Sequence, residues 1–171
     1  MENFNLSTER LMITEFSESM IESVRENSID EDNRRFVPDE VFETVEEARK
    51  TVLWLMDCYE KDHVPRVYPV LLKNGENIGY VQAVPLDEGW EIGYHIAKNH
   101  AGKEYATEAV RAFLPIIMDR LNVVKIIGIC LPENIASCKV MEKCGFVLEY
   151  KGAGKYQGNE RDICRYMFSA K

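Results

Sequence analysis

Residues 99–109, NHAGKEYATEA, set a glycine and two charged residues just before a segment with helical spacing. A chain that turns from strand into helix this way presents the first unpaired N–H groups of the helix, and the positive end of its dipole, to whatever docks there. The chemistry this suits is anion binding, although Glu104 sits where the anion would dock. A capped helix with a solvated first turn has the same appearance. Just upstream, GWEIGYHIA reads as a strand with Glu91, Gly93 and His95 on one face and Trp90, Ile92, Tyr94 and Ile96 on the other. Glu91 and His95 are candidate proton acceptors, the imidazole because its reference pKa lies near neutrality. Each also has a plain structural use, Glu91 as an exposed ion-pair partner and His95 as a packing or hydrogen-bonding residue. Asn134 and Ser137 stand where the N-terminal cap of a later helix belongs. The five cysteines and three histidines show no metal-ligand spacing, so reduced thiols in a cytoplasmic protein are expected, with Cys138 and Cys144 packing a helix.

The elements that position these residues follow from pattern. With 171 residues the chain is long enough for one domain, 1–171, with a sizeable core. Its 46% hydrophobic and 29% charged residues exclude disorder. A net charge of -8 argues against nucleic acid as a partner. The N-terminus lacks the basic start and apolar run of a signal peptide, and no apolar stretch is long enough to span a bilayer, so no membrane partner is expected. STERLMITEF alternates and predicts a first strand. Helical pieces are expected over 18–27 and from Thr44 onward, where Glu46 and Glu47 mark a helix start. RVYPVLLK, Asn74-Gly75 and NIGYVQAV predict a hairpin whose tight turn uses positive backbone dihedrals. Helical spacing begins at Tyr105, with Pro115 expected to kink or shorten that helix. VVKIIGICL has the apolar run of a strand buried on both faces. IASCKVMEKC predicts a short helix closed by Gly145, and two last strands lie near FVLEYK and DICRYMF.

GKEYATEAV, PENIASCKVMEKCGF and YQGNERD, preceded by STERLMI and EIGYHIA, occur in an order and at separations that resemble the GNAT N-acetyltransferase superfamily, specifically its RimJ/RimL-like branch. Each motif alone is weak; the five together cover nearly the whole chain. The resemblance implies a single-domain α/β fold. Its sheet would be twisted, mixed and mostly antiparallel, of six to seven strands, splayed at the centre to admit the pantetheine arm of acetyl-coenzyme A, with helices on both faces. It implies acetyl-CoA as co-substrate, no metal, and direct attack by a primary amine, in a monomer or homodimer. Backbone N–H groups across Ala101, Gly102, Lys103, Glu104, Tyr105, Ala106 and Thr107 would cradle the pyrophosphate. Those near Ile96 and Ala97 would polarise the acetyl carbonyl, and Asn134 would hold the pantetheine or the adjoining strand.

Glu91 occupies the position from which many relatives draw off the amine's proton through water. Many also carry a tyrosine that protonates the departing sulfur, but Met141 stands there; in the RimL-like branch a serine, here Ser137, would hydrogen-bond the sulfur instead. A thiol's reference pKa of about 8.5 makes the thiolate a tolerable leaving group without a strong acid. Asn99 replaces the usual glutamine or arginine, and Glu104 the usual glycine or alanine. Main-chain donors do not depend on the Glu104 side chain, which would point away or pair with Lys98 or Lys103, leaving a site of weaker affinity. Glu104 and Met141 also leave open a module that binds CoA or an amino acid with little or no turnover. The acidic segment from Glu26 to Glu47, Asp39 and Glu40 included, would favour a cationic or neutral acceptor: a small amine, or a peptide or protein N-terminus.

Overall fold

One eight-stranded sheet organises the chain in the computed structural model, which describes residues 3–171; Met1 and Glu2, part of the stretch read as free of a signal peptide, lie outside the described residues. The strands are β1 (Asn5–Ser7), β2 (Leu11–Thr14), β3 (Arg66–Leu72), β4 (Asn77–Pro85), β5 (Trp90–Ile96), β6 (Lys125–Cys130), β7 (Val147–Tyr156) and β8 (Asn159–Ser169), in spatial order β1-β2-β3-β4-β5-β6-β8-β7. Every neighbouring pair is antiparallel except β5 and β6. That parallel pair is in register only at Glu91↔Ile127 and Ile92↔Gly128, after which the two strands part and the sheet splays.

The helices are α1 (Ile21–Ser28), α2 (Glu31–Phe36), α3 (Val45–Cys58), α4 (Tyr105–Leu121) and α5 (Ile135–Lys143). Strand alternation sorts them onto two faces. Tyr68, Val70, Val81 and Ala83 pack with Ala109, Val110, Phe113 and Ile117 of α4 and Met141 of α5. Val67 and Tyr80 belong to the opposite face, with Ile21 of α1 and Ala48, Val52 and Leu55 of α3. Thr44 starts α3 as expected: its hydroxyl accepts the Glu47 N–H at 3.1 Å while the Glu47 carboxylate takes the Thr44 N–H at 3.2 Å.

Several expectations are corrected. Eight strands form rather than six to seven, partly because STERLMITEF is not one strand: Thr8 donates its N–H to the Leu11 carbonyl, folding β1 back on β2. Helix α2 was not anticipated; six residues are too few for a periodic signal, and Asp30 caps it by accepting the Asn33 N–H at 2.7 Å. In the β3–β4 turn only Gly75 has positive φ, at 90°; the Asn74 side chain instead accepts the Glu76 N–H. Pro115 does not shorten α4, which runs six residues beyond it. One lost ladder bond is outweighed by a buried face that continues through Ile117 and Met118. Strand β6 alternates between buried Ile126, Gly128 and Cys130 and half-buried Ile127 and Ile129, because Ile129 borders a cleft.

Two glycines mark where backbone and side chain crowd the splay. A Cβ on Gly79 would collide with the His95 carbonyl of β5, which is fixed backbone; one on Gly128 would meet the end of the Met141 side chain, which is flexible. Gly79→Ala is therefore expected to cost about 1–3 kcal/mol, read as a lower urea midpoint, and Gly128→Ala less. Equal midpoints for Gly79→Ala and the parent would contradict this packing.

Candidate active site

The turn before α4 is built from a short 3-10 turn at Lys98–His100, extended Ala101, Gly102 at φ 76° and Glu104 at φ 64°. The first helical bond of α4 runs from the Glu108 N–H to the Glu104 carbonyl, so the N–H groups of Tyr105, Ala106 and Thr107 have no helical acceptor. Two clamps hold this turn. Arg10 donates to Glu108 at 2.6 Å and to the Lys103 carbonyl at 3.0 Å, and lies over the Tyr105 ring at 4.5 Å. Thr8 donates to the same Glu108 at 2.7 Å. Burial alone would raise the Glu108 carboxyl, but the Thr8 and Arg10 hydrogen bonds hold it below its ordinary value. Glu104 pairs with neither Lys98 nor Lys103. Its carboxylate turns outward to Lys143 of α5 at 2.6 Å, and that hydrogen bond, with a second from Thr107, lowers its pKa.

A groove of about 370 Å³ runs from this turn to the splay. Ile96, Ala101, Gly102, Glu104, Tyr105, Ala106, Thr107, Asn134 and Ser137 line it, together with Lys98, Lys139 and Lys143. Lys103 contributes its carbonyl to the Arg10 clamp rather than a wall. Ala97 is buried, and its N–H is already bonded to the Ile78 carbonyl at 2.8 Å. Strand alternation then turns the Ile96 amide to the other side, into the gap between β5 and β6.

Tyr94 and Ser137 bridge that gap. The Tyr94 hydroxyl donates to the Ser137 carbonyl at 2.8 Å and lies 3.0 Å from the Ser137 hydroxyl. With its hydrogen on the carbonyl, Tyr94 is the acceptor for Ser137. Burial raises the Tyr94 pKa, so the phenol stays protonated. Asn134 caps α5, accepting the Ser137 N–H at 3.3 Å, and faces the groove as well. Met141 is buried against Gly128 and gives the neighbouring cavity an apolar wall, with no proton to offer. Tyr94 was read from sequence only as a face-mate of Ile92; a polar-tipped aromatic next to a splayed strand end was the available signal. Cys130 and Cys138 bring their sulfurs to 3.2 Å, and burial pushes the Cys130 thiol up and Cys144 to about 11, as inert packing thiols require.

On the other side of β5, Glu91 shares a cavity of about 320 Å³ with Glu40, Gln82, Tyr156 and Gln157, and Tyr94, Asn134 and Ser137 border it too. Glu91 is not an exposed ion-pair partner: among the described residues it has no salt bridge, and burial, reinforced by the charge of Glu40, raises its pKa to about 7. Burial likewise raises Glu40 to about 7, partly offset by Gln82, whose amide lies 3.4 Å from Oε1. Gly93 makes this reach possible, since a Cβ there would strike the Gln82 side chain. The second carboxylate oxygen, Glu40 Oε2, and Gln157 Oε1 are buried with no hydrogen-bond partner. His95, on the same strand face, is tied down: Nε2 lies 3.2 Å from the Asn27 carbonyl and 3.2 Å from the Asn33 amide, and burial lowers its pKa. YQGNERD forms the β7–β8 turn, with Gln157 and Gly158 at positive φ, and the Tyr156 hydroxyl donates to the Phe36 carbonyl at 2.6 Å. No group of His, Cys, Asp and Glu among the described residues is arranged to hold a metal ion, and no described helix is long and apolar enough to cross a membrane.

Residues 10–147 match the family model described as acetyltransferase (GNAT) domain. The uncharacterized N-acetyltransferase YnaD of Bacillus subtilis (strain 168) is 32% identical over 144 residues, covering 82% of this chain and 81% of that protein. An acetyltransferase (GNAT family) from Bacillus anthracis is similar in structure at TM-score 0.83 and 27% identity, covering 97% and 98% of the two chains. The RimL ribosomal α-N-protein acetyltransferase in complex with coenzyme A shares the fold at TM-score 0.82 and 20% identity, covering 99% of this chain and 98% of that one.

Carbon-detected NMR titration of the glutamate carboxyls is expected to show Glu40 and Glu91 changing protonation near pH 7. In Glu40→Gln the Glu91 midpoint should move to lower pH, because a neighbouring negative charge has been removed. Midpoints near 4.5 for both groups would mean that water reaches them freely.

Proposed function

The chain belongs to the acetyltransferase (GNAT) family, and from that premise we propose that it moves the acetyl group of acetyl-coenzyme A to a primary amine by direct attack in a ternary complex. The observation that carries this reading is the cavity between the parted strands, with half-buried Glu91 on one side and the Tyr94–Ser137 pair on the other. The residues present fit the co-substrate. Three free N–H groups at the start of α4, with Lys98, Lys139 and Lys143 along the groove, suit a pyrophosphate, and Asn134 faces the path a pantetheine arm would take. When bound, acetyl-CoA supplies an activated acyl carbon and a thiolate leaving group.

The chain's own groups then divide the work. Glu91, ionised above about pH 7, takes the proton that the attacking amine loses, directly or through one water. The Ile96 N–H donates to the carbonyl oxygen as it gains negative charge. The Ser137 hydroxyl turns from Tyr94 to the departing sulfur, and Tyr94 remains a protonated donor beside it. With Met141 where many relatives carry a tyrosine, the hydrogen bond to sulfur falls to Ser137, which Tyr94 holds in place from β5. His95 is less suited to the base role, since its Nε2 is already held by Asn27 and Asn33.

A base with a pKa of about 7 suits an amine that is partly unprotonated at neutral pH. A peptide α-amine, near 7.7–8.0, meets this better than a lysine-like amine near 10.4. The acceptor is thus an N-terminal α-amine of a peptide or protein, or a small amine of similar basicity.

Release of free CoA thiol across a panel of peptides, amino-acid amides, polyamines and aminoglycosides tests the reaction. At saturating amine, Glu91→Gln should abolish the fall in kcat as pH drops through about 7, and Ser137→Ala should lower kcat more than it raises the KM for acetyl-CoA. Stabilisation by CoA with no turnover of any amine would instead identify a binding module. Glu104→Gly is expected to tighten CoA binding roughly two- to fivefold by calorimetry, since it removes a like charge and releases Lys143 toward the groove. It should also raise Tm, because glycine adopts positive φ freely. Weaker binding would show that the Glu104–Lys143 pair holds the groove open.

A further inference from the structure

Next to the Glu91 cavity lies a hollow of about 310 Å³ between α1, α3, the 3-10 turn Pro38–Glu40 and strands β3 and β4. Phe16, Val24, Phe42, Trp54, Leu55 and Val67 form its apolar wall. Phe16, Leu55 and Val67 are buried, whereas Trp54 is 49% exposed at the rim, so the hollow is reached from solvent. Three asparagines of its lining are already engaged: Asn27 donates to the Asn77 carbonyl, Asn33 to the Ser28 carbonyl and Asn77 to the Ser23 hydroxyl.

Glu40, Tyr80, Gln82 and Val84 belong to the walls of both the hollow and the Glu91 cavity, so the two spaces adjoin along β4 and the Glu40 side chain. Glu40 Oε2 is buried there without a hydrogen-bond partner. An unpartnered carboxylate oxygen at the edge of an apolar space is costly unless a donor arrives with the ligand. Asp39 lines the same hollow and adds negative charge. A ligand that satisfies both features has a cationic or hydrogen-bond-donating nitrogen at one end and a bulky apolar group next to it.

We propose, resting on the acetyl-transfer reading, that this hollow takes the side group of the acceptor, a primary amine bearing an aromatic or bulky aliphatic group and no negative charge, with its nitrogen between Glu40 and Glu91. Burying a phenyl group in such a wall separates aromatic from small acceptors by about tenfold or more in kcat/KM. A free carboxylate beside the amine is repelled by Glu40 and Asp39, so amides and amines are preferred to free amino acids. The first residue of a polypeptide and an amino-acid amide carry this chemistry at the basicity that suits Glu91, and a small arylalkylamine carries the same shape on a more basic nitrogen.

The test measures kcat/KM with acetyl-CoA and the full chain for three matched pairs: 2-phenylethylamine against ethylamine, phenylalaninamide against glycinamide, and a peptide beginning with Phe against one beginning with Gly. Free phenylalanine is included as the anionic control. The aromatic member is expected to lead by about tenfold or more in the arm that matches the natural source, and phenylalanine to fall below its amide. Thr51 lines the hollow, and Thr51→Trp should reduce the aromatic-to-small ratio at least fivefold; Val24→Phe provides a second filling variant if the first unfolds. Equal kcat/KM within every pair, or a preference for the small or anionic member, overturns the assignment while leaving acetyl transfer intact. If no amine is acetylated, the transfer reading fails and the hollow is tested by itself. Saturable binding of 2-phenylethylamine but not ethylamine, followed by NMR and lost on filling, supports it, and absence of binding overturns it.

Discussion

The feature on which the rest of the molecule depends is a hydrogen-bond ladder that stops. Strands β5 and β6 share two register pairs and then part, although each continues to be fully paired on its other side, β5 with β4 and β6 with β8. Backbone groups in a sheet interior are costly to leave unmatched, so such a gap persists only where other groups line it and a ligand has access. Here the Tyr94 hydroxyl reaches across to α5, and the start of α4 opens its unpaired N–H groups onto the same groove. The cavity that holds Glu91 is the other side of the same parting.

Keeping such a gap open requires its rims to be fixed, and charged side chains do much of this. Glu108, on the first turn of α4, gathers the Thr8 hydroxyl, the Arg10 N–H and the Arg10 guanidinium, which ties the helix to the β1–β2 turn. Hydrogen bonds to a charged group contribute about 1.5–3 kcal/mol each where they are shielded from water. Glu104 and Lys143 link α4 to α5 across the groove mouth, and Tyr156 links the β7–β8 hairpin to α2. The segments that resemble family motifs are thus largely the parts that fix these rims.

Much of this was legible in the sequence. The Thr44 capping box, the glycine that closes α5 and the helix starting at Tyr105 follow from local chemistry, and the structure has all three. The Gly145 N–H bonds the Glu142 carbonyl and the Phe146 N–H that of Met141, the paired bonds a glycine cap makes available. What escaped were the relations between distant segments. Glu40 appears in the sequence as one acid among many between Glu26 and Glu47, and only the fold sets it against Glu91, 51 positions on. Tyr94 gains its place from Ser137, 43 residues away, and Glu104 finds Lys143 rather than a nearer lysine because the partner is chosen by the packing of α4 against α5. Strand β1 and helix α2, of three and six residues, are too short for periodicity to reveal.

The two half-buried carboxylates also tie the thermodynamics of folding to acidity. Glu40 and Glu91 are held at about 7 in the folded chain against about 4.5 when exposed, so between these values the folded state binds protons that the unfolded state has released. For an acid whose pKa is raised by folding, the stabilisation is complete below about 4.5 and is lost as pH rises toward and through 7. A globular domain has only about 5–15 kcal/mol in all. These two groups therefore favour the folded state least on the alkaline side, where Glu91 is ionised and able to accept a proton, whereas Glu104 and Glu108, held below their ordinary values, act in the opposite sense. Conformational stability and readiness for chemistry run in opposite directions along the pH axis, and a bound cation between the two carboxylates is what would bring them back together.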